Sequence, residues 1–72
     1  MSPDLMIQIN VNGEKKECPA GTSVSELLES LDIDKRYVAV EVNLKVVPRT
    51  QLSEKKLQEN DNLEIVTFVG GG

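Results

Sequence analysis

Leu63-Glu64-Ile65-Val66-Thr67-Phe68, followed by Val69 and Gly70-Gly71-Gly72, is the stretch on which the fold turns. Its first six residues are rich in β-branched and aromatic side chains and read as a strand. Period-two alternation puts Leu63 and Ile65 on one face and Glu64, Val66 and Phe68 on the other. At the opposite end of the chain, Leu5-Met6-Ile7-Gln8-Ile9-Asn10-Val11 alternates in the same way, with Leu5, Ile7, Ile9 and Val11 on the apolar face. Both terminal runs read as well buried. Pairing them in parallel across the middle of one sheet satisfies both.

The intervening residues fill in the rest of that sheet. Asn12-Gly13 is a strong hairpin signal, because both residues tolerate positive φ in a type I′ turn. Glu14 to Cys18 is then the returning strand, broken by Pro19-Ala20-Gly21. Ser23-Val24-Ser25-Glu26 fits a capping box at a helix start, with Thr22 as a competing cap. Val24, Leu27, Leu28 and Leu31 form one apolar stripe, and Glu26, Glu29 and Ser30 face water as an ordinary solvated surface. Asp32-Ile33-Asp34 ends the helix. Tyr37 to Val42 reads as a central strand, with Val38, Val40 and Val42 pointing in and Tyr37, Ala39 and Glu41 pointing out. Asn43-Leu44 turns the chain into a short strand, Lys45-Val46-Val47, which Pro48 confines to an edge or an end. Arg49 to Asn62 is polar, with Leu52 and Leu57 as anchors and a helical turn near Ser53 to Leu57. The expected architecture is α+β, a mixed sheet of four to five strands packed on one main helix.

Composition narrows the function classes. Seventy-two residues make one small domain. With 39% hydrophobic residues and only Tyr37 and Phe68 as aromatics, the core is aliphatic. No apolar run approaches the roughly 20 residues of a membrane span, so no membrane partner is expected. Met1 to Leu5 carries Pro3 and Asp4 rather than the basic start of a signal peptide. A net charge of −4 argues against nucleic acid, which selects basic surfaces. One cysteine and no histidine leave neither an internal disulfide nor the usual metal sites, and a reducing cytoplasm is the expected compartment. The same inventory argues against an enzyme. There is no imidazole for proton transfer at neutral pH. Cys18, between Glu17 and Pro19, reads as a buried structural thiol rather than a nucleophile.

The unusual chemistry lies at the end of the sequence. After Glu64 the only charge is the terminal carboxylate, ionised at neutral pH. Three final glycines have one plain reading, a frayed or appended terminus. The other is functional: a glycyl carboxylate without Cβ atoms around it threads into a narrow active site of another enzyme. There it attacks the α-phosphate of ATP to give an acyl adenylate, open to a thiol, a sulfide or an amine. On this reading the chain divides into a folded body, 1–69, and a flexible reactive tail, 70–72. Gly72 carries the reactive group and Gly70 and Gly71 give it access. Ala39, Val66 and Phe68 share the sheet face away from the helix and form an apolar patch beside the tail, which suggests docking. Alternatively, Phe68 folds over the sheet edge into the core. An acidic rim around the patch suits a basic partner face.

Four stretches carry a family resemblance: Ile9-Asn10-Val11-Asn12-Gly13-Glu14; Thr22-Ser23-Val24-Ser25-Glu26-Leu27-Leu28; Val40-Glu41-Val42-Asn43 with Val46-Val47-Pro48-Arg49; and Asp61-Asn62-Leu63-Glu64-Ile65-Val66 leading to Val69-Gly70-Gly71-Gly72. With them the whole chain resembles the ThiS family, sulfur carriers of thiamin biosynthesis with the ubiquitin-like β-grasp fold. The first two stretches are generic; Val47-Pro48-Arg49 with a terminal Val-Gly-Gly-Gly at this length is more specific. The resemblance implies that a ThiF-like adenylating enzyme activates Gly72 with ATP. A sulfur donor such as a cysteine desulfurase then converts it to a thiocarboxylate, and the thiazole synthase ThiG takes the sulfur into the thiazole ring. No cofactor is expected on the chain itself. Gly71 and Gly72 match the family's essential pair. Leu44 stands where the family often has Gly, and Leu52 where many members have Trp; both positions belong to the scaffold. Rival readings are the small subunit of molybdopterin synthase, which also ends in Gly-Gly, a protein-modifying tag, and a non-covalent docking module. Length and the Val-Gly-Gly-Gly ending favour the thiamin carrier.

Overall fold

Two hairpins and a lone last strand build the sheet. The computed structural model describes residues 5–68. The first hairpin joins β1 (Met6–Val11) to β2 (Glu14–Pro19) through Asn12 and Gly13, at φ 51° and 86°. Both angles are positive, as a type I′ turn requires. The second hairpin joins β3 (Val38–Val42) to β4 (Lys45–Val47) through Asn43 and Leu44, at φ 53° and 70°. The last strand, β5 (Asn62–Thr67), enters between the hairpins and gives the order β2-β1-β5-β3-β4. It runs parallel to β1, with Asn10 beside Asn62 and Val11 beside Leu63. Against β3 it is antiparallel over five residue pairs, from Val38 with Thr67 to Val42 with Leu63. The terminal runs therefore pair in mid-sheet as expected. Strand β4, followed at once by Pro48, is an edge.

One helix, α1 (Val24–Ser30), covers the inner face. Ser23 caps it as its sequence requires. The Glu26 backbone N–H donates to Ser23 Oγ at 3.0 Å, and the Ser23 N–H donates to the Glu26 carboxylate at 2.9 Å. The next two amides, of Val24 and Ser25, donate to the carbonyls of Lys55 and Leu52, both at 2.9 Å. The polar segment after β4 thus satisfies donors that a helix leaves open at its start. Its buried Leu52 and Leu57 hold it in place. Its helical turn falls at Arg49–Gln51, ahead of the expected Ser53 to Leu57, because Pro48 at φ −58° starts the turn directly.

At the other end of α1, Asp32 takes φ 62°, its N–H donating to Glu29 and that of Ile33 to Leu28. This is the Schellman closure that glycine usually provides. Ile33 packs back onto the core, which explains how a helix without a C-terminal Gly stops cleanly. Ile9, Val24, Leu28, Val40 and Leu63 are the most completely buried large side chains. They interleave β1, α1, β3 and β5 in one aliphatic core, so the last strand is central to the packing as well as to the sheet. The described residues fall within the body expected over 1–69. Val69 and the expected tail, Gly70, Gly71 and Gly72, lie outside the described residues, as do the first four.

Candidate docking face and the root of the tail

The face of the sheet away from α1 carries the residues singled out above. In β5, Leu63 and Ile65 are buried against the helix, while Val66 is 57% and Phe68 45% exposed. Phe68 therefore does not fold over the edge into the core. Ala39 is exposed and lies directly opposite Val66 in the β3–β5 ladder. The alternation thus brings Ala39, Val66 and Phe68 onto one surface. Tyr37, at 44% exposure, borders the patch, because the Phe68 N–H donates to the Tyr37 carbonyl at 2.9 Å. Val46 is exposed at the β4 edge, opposite Glu41. Its outward direction was open to the alternation argument, but a three-residue strand gives a weak period.

Charge frames this apolar surface on two sides. Glu41 and Glu64 are opposite one another in the ladder. Among the described residues neither makes an ion pair, and like charges in this position repel. On the other side, the turn before β3 holds Arg36. Its guanidinium lies 2.8 Å from the Asp34 carboxylate and 5.4 Å from the centre of the Tyr37 ring. The side-chain and backbone N–H groups of Arg36 bond that carboxylate and lower its pKa to about 2. Arg49 Nη2 donates to the Arg36 carbonyl at 3.4 Å, tying the Pro48-Arg49 turn to the same corner.

The two hairpin asparagines reach β5 from opposite sides. Asn12 Nδ2 donates to the Ile65 carbonyl at 3.2 Å, and the Ile65 N–H donates to Asn12 Oδ1 at 2.8 Å. Asn43 accepts from the Asn62 N–H at 2.9 Å and donates to the buried Asp61 carboxylate at 2.9 Å. Asp61 in turn accepts from the Gln58 N–H at 2.8 Å. Sequence reasoning assigned both asparagines to turns alone. The available signal was the choice of Asn, a side chain with both donor and acceptor, at a left-handed position.

Other candidate chemistry is weak here. Cys18 is buried, and burial pushes its thiol pKa up despite a hydrogen bond with Thr22, which disfavours a thiolate nucleophile. Among the described residues no three His, Cys, Asp or Glu side chains are grouped to hold a metal ion. No described helix is long and apolar enough to cross a membrane.

A mixed sheet holding one helix, with the last strand at its centre leading out to the chain end, defines a ubiquitin-like β-grasp domain. Comparison with known proteins narrows this to one family. The model of the ThiS family matches residues 9–72. The sulfur carrier protein ThiS of Escherichia coli is 35% identical over 66 residues, covering 92% of this chain and all of that protein. A thiazole synthase of Paramagnetospirillum magneticum is 41% identical over 66 residues, and the chain spans only 20% of its length. Among solved structures, the thiamine biosynthesis protein ThiS of Geobacter metallireducens superposes with a TM-score of 0.78 at 30% identity, covering 92% of this chain and all of that one. The chain belongs to the ThiS family.

Proposed function

We propose that this protein is the sulfur carrier that supplies thiazole formation in thiamin biosynthesis, through the carboxylate of Gly72. The observation that carries the reading is the family match, which runs through to Gly72, together with similarity over the full length of a protein named as a sulfur carrier. The chain acts as a co-substrate rather than an enzyme, in the cytoplasm, and holds no cofactor of its own.

In the proposed cycle a carboxylate oxygen of Gly72 attacks the α-phosphorus of ATP in a ThiF-like adenylating enzyme. The bond between the α- and β-phosphates breaks and pyrophosphate leaves. The outer persulfide sulfur of a donor such as a cysteine desulfurase adds to the acyl carbon and displaces AMP, giving an acyl disulfide. A thiol then attacks the donor's sulfur, breaks the S–S bond and releases the thiocarboxylate, and the donor and the thiol are left joined as a disulfide. The thiocarboxylate sulfur passes to the thiazole in ThiG. Similarity to one fifth of a thiazole synthase supports this acceptor. Gly70 and Gly71 supply a backbone without Cβ atoms, suited to a narrow channel. Ala39, Val66 and Phe68 dock on the partner's apolar surface, and the unpaired Glu41 and Glu64 favour a basic group beside it.

The test is ATP–pyrophosphate exchange with the cognate adenylating enzyme, run beside a melting curve. Deleting Gly72 draws the carboxylate back by roughly 3.5 Å. Misplacement of about 1 Å already costs on the order of a hundredfold. Replacing Gly71 with Val adds a β-branched side chain to the thread. Either change is expected to abolish exchange with the melting temperature unchanged. Full exchange from either variant would defeat the carrier reading.

A further inference from the structure

On the β1 side of β5 the ladder is continued by a side chain. The Asn10 N–H donates to Asp61 and the Asn12 N–H to Leu63, both at 2.9 Å. The next residue of β5 facing that edge is Ile65. By then the chain has turned at Asn12 and Gly13 into β2, and among the described residues no strand remains there to pair with it. The Asn12 carboxamide takes the strand's place. Its oxygen accepts from the Ile65 N–H and its nitrogen donates to the Ile65 carbonyl, at 2.8 and 3.2 Å. One planar amide thus offers a backbone residue the same donor–acceptor pair that a neighbouring strand offers. The cross-link spans 53 positions, and beyond Ile65 only seven residues lead to Gly72.

We propose that Asn12 is a positioning residue for activation of the tail: its carboxamide clips β5 at Ile65 and fixes the direction in which the chain leaves the sheet. This rests on the carrier reading above. The patch docks the body of the domain. Beyond Ile65 the chain stays paired with β3 as far as Phe68, whose N–H donates to Tyr37. Among the described residues the clip is the last hold on the other edge, and it sets the angle at which β5 carries the thread away from that docked body. Loosening the clip widens the range of starting directions without altering the patch, so fewer docked molecules present the carboxylate in line with the α-phosphate. The role is separable from the turn, because the turn requires only a residue that accepts φ 51°.

Asn12→Gly keeps the turn and removes the clip. Asn12→Asp keeps an acceptor for the Ile65 N–H and loses the donor to the carbonyl. Both are compared with wild type by amide hydrogen exchange and by ATP–pyrophosphate exchange with the cognate adenylating enzyme over a range of carrier concentrations. In Asn12→Gly, exchange at the Ile65 amide is expected to accelerate while the Val40 amide stays protected. Its kcat is expected to fall about tenfold, with KM for the carrier unchanged. Asn12→Asp falls between the two. An Ile65 amide as protected in Asn12→Gly as in wild type overturns the clip. An undiminished kcat with the amide deprotected overturns the positioning role alone. Absence of exchange from wild type itself defeats the carrier reading, and the positioning role with it.

Discussion

Leu44 holds φ 70° and is 88% exposed, so it carries the strain of a left-handed residue without packing in return. Glycine at this position relieves the strain, though it adds entropy to the unfolded chain. Leu44→Gly is therefore expected to stabilise the protein by roughly 0.5–1 kcal/mol, measured by urea denaturation. Asp34 provides a second test. Its carboxyl is held down to about 2 by Arg36. A carboxyl lowered in the folded state adds stability that is complete above its unfolded value, near 3.9, and is lost as pH falls through the folded value. The melting-temperature gap between wild type and Asp34→Asn is expected to be constant above about pH 5, to narrow as pH falls from there to about pH 2, and to close about one pH unit below that. A gap independent of pH would show that the Arg36 contact does not form in solution.

At the level of elements, β5 has one buried and one exposed face. Leu63 and Ile65 belong to the core and Val66 to the outer patch. Val66→Asp is expected to fold with little change in melting temperature and to raise KM for the adenylating enzyme about tenfold, as a charge placed in an apolar contact does. Leu28→Ala, on the buried stripe of α1, is expected instead to lose ~2–5 kcal/mol through the cavity it leaves. Loss of folding in Val66→Asp would mean the faces are assigned wrongly. These assignments were legible in the sequence because alternation and helical spacing are local patterns. Val24, Leu27 and Leu28, or Val38, Val40 and Val42, announce their faces without reference to any other element. The Asn12–Ile65 and Asn43–Asp61 bonds were not legible, because they join residues distant in the chain. The one local signal, Asn at a left-handed position, does not say which distant residue its side chain reaches. The polar run from Arg49 to Asn62 was equally opaque, since carbonyls that cap a distant helix leave no mark on residue type.

At the scale of the whole molecule, the proposed function separates the carried group from the body that presents it. The body is an aliphatic core closed by the central β5, and the chemistry proposed for Gly72 needs none of its side chains to react. That division accounts for the absence of an acid–base pair or exposed thiol in the described domain. It also leaves the net charge of −4 free to act on association, where acidic surfaces steer a small carrier toward basic partners. The central claim concerns one atom at Gly72. Its most direct test is the intact mass of the protein purified from its native host while the host is making thiamin, followed by fragmentation of the C-terminal peptide. The account predicts a fraction whose mass has risen by the exchange of one oxygen for sulfur, located at Gly72. A terminus that stays an ordinary carboxylate under those conditions, or one found joined to lysines of other proteins, would contradict it.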